Sequence, residues 1–173
     1  MLLPIVVYPN PTLKKKCEPV LCVTEELRTL VENMFETMYQ APGVGLAAPQ
    51  VGENIRLLVM DPNASEEQKT PRVLINPELT LTGETIRSER EGCLSVPLGF
   101  RADVMRSSKV HLKARDLDWN IIEEDLEGYP AIIVQHETDH LDGTLFIDRI
   151  SRLRRSLFDS KVKKWLKKNK NTR

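Results

Sequence analysis

Residues 136–140 read His-Glu-Thr-Asp-His, an H-E-x-x-H, inside a stretch that runs from Gln135 to Gly143. On a helix, positions four apart lie one turn apart on the same face. His136 and His140 could there hold one metal ion, with Glu137 in reach of a water on it. The chemistry implied is hydrolysis by a metal-activated water, with a carboxylate handling the proton. The chain has three histidines, and two of them fall at this spacing. The third, His111, lies in the alternating run Lys109–Lys113, which reads as a strand with the imidazole on the solvent side beside the lysines.

Two imidazoles leave a catalytic ion one protein ligand short of the usual three. Downstream, Asp142, Asp148 and Asp159 are the candidates, and such a ligand would describe an H-E-x-x-H zinc endopeptidase. Upstream, Glu91-Gly92-Cys93-Leu94-Ser95-Val96-Pro97 offers a thiolate, a good ligand for a soft or borderline ion. Cys93 reads equally well as an inert core residue. A third segment runs from Gly43 to Gly52 and includes Val44, Gly45 and Gln50. Its early glycines let a backbone approach a substrate closely, and Gln50 could offer its amide N–H to a developing oxyanion. The plainer reading is a tight turn, a short apolar strand and a surface glutamine.

The elements that must carry these residues follow from pattern. Pro130 suits a first helical turn, Ala131-Ile132-Ile133-Val134 is apolar on all sides, and Gly143 sits where a helix should stop. A helix over Pro130–Asp142 is the better reading, because a strand would spread His136 and His140 too far apart for one ion. Thr24 caps a second helix that reaches Gln40, with Met34 and Met38 in its core-facing stripe. Strands are expected over Ile55–Met60, Arg72–Asn76, Leu79–Arg90, Val110–Arg115 and Ile121–Leu126, the last two joined by a hairpin turn at Asp116–Asn120. Leu153, Leu157, Phe158, Val162, Trp165 and Leu166 mark a C-terminal amphipathic helix at about 151–170. The whole is an α+β chain, a single compact domain of antiparallel sheets around a central metal-binding helix.

At 173 residues one domain with a substantial core is expected. Lys plus Arg equals Asp plus Glu at 25 each, so the total charge makes no case for DNA or a membrane. The charge is nonetheless uneven. Arg149–Arg173 holds eleven basic residues against one acid, which leaves 14 basic and 24 acidic residues before it. That basic face is either simply solvated or a contact for a polyanion. The N-terminal apolar run is short, broken by Pro4, and does not read as a signal peptide. Three scattered cysteines make no disulfide framework and fit a reducing, cytoplasmic setting.

Taken together and in order, Gly43-Val44-Gly45-Leu46-Ala47-Ala48-Pro49-Gln50, Glu91-Gly92-Cys93-Leu94-Ser95 and Gln135-His136-Glu137-Thr138-Asp139-His140-Leu141 resemble the three signature motifs of the peptide deformylases. The resemblance extends from about residue 3 to the C-terminal helix. It implies removal of the N-formyl group from the initiator methionine of nascent chains, with Cys93, His136 and His140 as metal ligands and Glu137 as general base and acid. It places the Gln50 side chain and the Leu94 backbone N–H on the formyl oxygen. Val44, Gly45, Glu91 and Gly92 would line the peptide path, and Tyr129, Ile132 and Ile133 the methionine pocket. The ion implied is Fe²⁺ in the cell, with Zn²⁺ or Ni²⁺ in purified forms, and family precedent makes the basic tail a ribosome contact. The chain departs from the commonest pattern at Pro42, where many members carry an acid that pairs with an arginine at the place of Arg101, and at Tyr129-Pro130. A metal-stabilised binding module tethered by its tail is the non-enzymatic alternative.

Overall fold

The computed structural model describes residues 1–170; Arg173, counted with the basic tail, lies outside them. The order is helix α1 (Glu25–Gln40), strands β1 (Gly45–Ala47), β2 (Leu57–Met60), β3 (Arg72–Leu81), β4 (Thr85–Glu91), β5 (Ala102–Ser107), β6 (Lys109–Arg115) and β7 (Ile121–Glu127), then helices α2 (Tyr129–Leu141) and α3 (Arg152–Lys170). Short 3-10 turns occupy Pro11–Lys14, Ala48–Val51 and Phe146–Asp148. Five strands form one antiparallel sheet in the order β1-β2-β3-β6-β7, and β4 pairs with β5 in a second. The α+β class expected from the sequence is the class observed.

The main sheet is covered on both faces where it carries β2. Leu58 and Met60 join Ala131, Val134 and Leu141 of α2, while Leu57 and Val59 face Val31, Met34 and Met38 of α1. Every β2 residue is therefore buried, as expected of a strand packed on two sides. The Thr24 hydroxyl caps α1 by accepting from the Leu27 N–H at 3.2 Å. A third cluster joins Leu13, Phe146, Phe158 and Val162, so the inner face of α3 closes over the 3-10 turn that follows α2.

Three expectations need correction. β3 runs unbroken to Leu81 because Asn76 (φ 50°) and Pro77 form a bulge in its ladder to β6. A strand that slips register at a bulge loses no ladder bond to the missing proline N–H. The expected strand over Leu79–Arg90 is therefore two, the end of β3 and then β4, turning at Gly83. β5 was not expected at all. On α3, Phe158 and Val162 are buried, but Leu153 and Leu157 are 70% and 58% exposed and do not belong to the packed stripe.

Candidate active site

Helix α2 begins at Gly128, whose φ of 67° turns the chain off β7, and Pro130 fills a position that needs no N–H. It ends at Gly143 (φ 73°), whose Cα lies so close to the Lys14 carbonyl that a Cβ would come within 2.7 Å of that carbon. Between these stops His136 and His140 share a face, with ring centroids 5.2 Å apart. The loop after β4 brings Cys93 to them, its Sγ 3.3 Å from Nε2 of His140. Among the described residues these three form the one group whose donor atoms, within 4.8 Å of one another, could hold a metal ion. One thiolate and two imidazoles are a donor set for a soft or borderline divalent ion.

The surrounding bonds prepare that donor set. Glu91 is aimed inward by a bulge between Ser88 and Glu91, where Arg90 takes φ 51°. Its carboxylate accepts from Nε and Nη2 of Arg106 at 3.0 and 2.8 Å and lies 3.0 Å from Nδ1 of His136. Burial alone would raise the Glu91 carboxyl, but the bonds from His136 and Arg106 outweigh it and hold it at about 2. An ionised Glu91 bonds Nδ1 and leaves Nε2 as the ring nitrogen that can face a metal. The Cys93 sulfur accepts from the Ser95 N–H at 3.4 Å, which fixes where it points. Burial, with the positive fields of His136 and Arg106, holds His140 well below its ordinary value, so its ring is neutral.

Glu137 lies against the Cα of Gly45 at the edge of β1, and its Oε2 is buried with no protein partner. Burial pushes its carboxyl up to about 7, only partly offset by His136 and Arg106. A carboxyl poised there can both take and give a proton near neutrality. Gln50 is no surface residue; it is 1% exposed, and its Oε1 accepts from the Ala47 N–H at 2.8 Å. Its Nε2 donates to the Ser95 hydroxyl at 3.1 Å and stands 3.5 Å from Cys93 Sγ. The N-terminal segment laces these turns together, with Val6 N–H donating to the Gln50 carbonyl and Tyr8 N–H to the Ser95 carbonyl.

A cleft of about 490 Å³ opens over Glu137 and His136. Val44, Gly45, Gln50, Glu91, Gly92, Cys93 and Leu94 line it, as do Tyr129, Ile132 and Ile133 from the first turn of α2. Within it the Glu91 carboxylate is committed to Arg106 and His136, so its contribution to the site is positioning. His111 lies elsewhere, bridging Asp125 and Glu123 across β7 beside the lysines. Ser95, Arg106 and Asp139 were assigned no role from the sequence, yet all three act on the site. Arg106 is 4% exposed and also donates to Asp139 at 2.7 Å. Its signal was present, an arginine in the inward phase of the alternating Ala102, Val104, Arg106, and it became readable only with β5 in place.

The downstream carboxylates are occupied away from the cluster: Asp142 by Arg56, Asp148 by Lys14 and Arg155, Asp159 by Arg155 and Tyr8. No endopeptidase ligand set is assembled from them. Comparison with known proteins agrees. The family model described as Polypeptide deformylase matches residues 2–156. The peptide deformylase of Caulobacter vibrioides is 50% identical over 153 residues, 88% of each chain. That of Pseudomonas aeruginosa is 47% identical over 163 residues, 94% of this chain and 95% of its own. Among solved structures, a peptide deformylase from Legionella pneumophila superposes with a TM-score of 0.88 at 40% identity over 98% of both chains. One from Ehrlichia chaffeensis, in complex with actinonin, gives 0.87 at 37% identity over 94% of this chain and 96% of that one. The cluster, the cleft and the sequence relatives converge on one conclusion, that the chain belongs to the polypeptide deformylase family, metal-dependent enzymes that remove the formyl group from nascent peptides and not H-E-x-x-H endopeptidases.

Proposed function

We propose that residues 1–173 act as a single catalytic domain in which Cys93, His136 and His140 hold one divalent ion, Fe²⁺ in the cell with Zn²⁺ or Ni²⁺ as substitutes. The observation that carries the reading is the buried, unpartnered Oε2 of Glu137 beside three converging donor atoms. A buried acceptor without a partner is costly unless a water or substrate proton meets it. The ion, when bound, supplies Lewis acidity that makes a water far easier to deprotonate.

The chain's own residues supply the rest. Glu137 takes a proton at Oε2 as water adds to the formyl carbon, then delivers it to the amine nitrogen as the C–N bond breaks. The products are formate and a free amino terminus. The Leu94 backbone N–H and the Gln50 side-chain amide donate to the formyl oxygen, where losing one donor costs about 10²–10³ in rate. β1 is an edge strand of the sheet, so its open side, at Val44 and Gly45, suits backbone pairing with an extended peptide. Gly92 lies across the cleft, and Tyr129, Ile132 and Ile133 receive the methionine side chain. The exposed basic face of α3, with Leu153 and Leu157 outward, is read as a ribosome contact, and the enzyme as cytoplasmic. No helix of the described residues is long and apolar enough to cross a membrane.

The test is amine release from formyl-Met-Ala-Ser beside cleavage of casein, with protein purified anaerobically. Deformylation without casein cleavage is expected, and Glu137→Gln should keep the metal while abolishing turnover. Metal binding without any turnover by the unaltered protein would point instead to a binding module.

A further inference from the structure

We propose that Arg101, at the outer end of the cleft, makes this enzyme favour substrates with an acidic side chain one or two residues after the formylmethionine. The inference rests on the deformylase reading above and adds a specificity to it. The Arg101 guanidinium lies over Gly92, where a Cβ would come within 2.9 Å of Nη1 and 3.1 Å of Cζ. Its one hydrogen bond runs from Nη1 to the Arg90 carbonyl at 3.2 Å, and no carboxylate among the described residues pairs with it. Position 42, also on the cleft lining, is a proline and brings no charge. The side chain of Arg90, likewise in the lining and exposed, has no carboxylate partner among the described residues either.

The acids that line the cleft are already committed. Glu89 accepts from Arg87 at 3.1 Å, Glu91 is held by Arg106, and Glu137 is buried at the catalytic end. The outer cleft therefore presents guanidinium without a compensating carboxylate. A peptide laid along the open edge of β1 advances about 3.3 Å per residue. Its second and third residues then leave the catalytic end toward this charge. Arg101 also follows Phe100, whose ring packs against Phe146 and Phe158 with centroids 6.1 and 4.4 Å away, so the guanidinium stands on a fixed base. Its free N–H groups form the planar fork that matches a carboxylate.

The experiment compares kcat/KM for C-terminally amidated formyl-Met-Ala-Glu with formyl-Met-Ala-Gln, and for formyl-Met-Glu-Ala with formyl-Met-Gln-Ala. For an exposed pair the expected Glu-over-Gln ratio is about two to five at one of the two positions at low salt. It should fall toward one at about 0.5 M salt, where the charge is screened. Arg101→Gln should bring the ratio toward one at low salt, and Arg101→Lys should keep part of it. A ratio of one or less at both positions overturns the proposal, as does a ratio that salt leaves unchanged or that Arg90→Gln abolishes and Arg101→Gln does not. If the glutamine peptides are not turned over by the unaltered enzyme, it is the deformylase reading that has failed.

Discussion

The Glu91 carboxylate stands 3.0 Å from Nδ1 of His136, and that bond decides which ring nitrogen is left for a metal. Glu91 also takes two of the Arg106 donors, so a single buried acid serves a histidine and an arginine at once. Weakening the histidine bond with Glu91→Gln should lower metal affinity by about 10–100-fold. Competition against a chelator would measure it. Glu91→Ala should additionally strand the buried Arg106 charge and destabilise the fold by about 3–5 kcal/mol. Urea unfolding of the metal-free protein checks that part, and unchanged values in both assays would dismiss the role.

Gly45 has no room for a side chain, because a Cβ there would come within 2.7 Å of Cδ and Cγ of Glu137. Gly45→Ala should displace the Glu137 carboxylate rather than unfold β1, whose other contacts are unaffected. A misplacement of this kind costs about 10²-fold in kcat. Circular dichroism melting should show a fold close to that of the unaltered protein. A Gly45→Ala enzyme with full kcat would mean that Glu137 has another place to stand.

The motif helix was legible because its punctuation, Pro130 and Gly143, brackets a pattern with helical period, and Thr24 marked α1 in the same way. Cys93 was a candidate from its residue type alone, and the fold places its sulfur beside His140. What escaped reading was whatever depends on partners distant in sequence. Arg106 meets Glu91 and Asp139 across 15 and 33 residues, and no local pattern announces such a triad. Pro77 reads as the end of a strand unless the bulge beside it is already known. Leu153 and Leu157 have the spacing of a buried stripe, yet burial is decided by what α3 packs against, and Phe158 and Val162 take that place.

Asp148 ties three segments together, accepting from Lys14 Nζ at 2.6 Å, Arg155 Nη1 at 2.6 Å and the Leu145 N–H at 2.8 Å. Burial alone would raise its carboxyl, but these donors outweigh it and hold it below the ordinary value. The folded chain thus binds this proton less readily than the unfolded chain. The stabilisation is complete above about pH 4, the unfolded value, and drains away as pH falls through the folded one. Asp148→Asn should be less stable than the unaltered protein at neutral pH, with the difference shrinking by about pH 3. Urea midpoints across that range test it, and a gap independent of pH would refute the account.

The three cysteines should separate under alkylation. Burial pushes the Cys17 thiol up to about 11, and the residue is 3% exposed, whereas Cys22 is exposed. At about pH 8 the thiolate is the reactive species, so iodoacetamide should label Cys22 and spare Cys17 in the native protein. Chelation should make Cys93 newly reactive, because a thiolate bound to a metal is withheld from the reagent. Peptide mass mapping reads all three sites, and labelling of Cys93 that ignores chelation would count against it as a ligand.

Formal neutrality conceals how the charges are laid out. Arg152, Arg154, Lys161, Lys163, Lys164, Lys167 and Lys168 are exposed along α3, while the body before Arg149 carries the acidic excess. Because Phe158 and Val162 anchor the helix and Arg155 bonds to Asp148, Asp159 and Tyr8, the positive end keeps a fixed direction relative to the cleft. The molecule is a permanent dipole that would turn its helix toward a polyanion before touching it. A cation-exchange resin should accordingly retain it near pH 7, close to its sequence pI of 6.8.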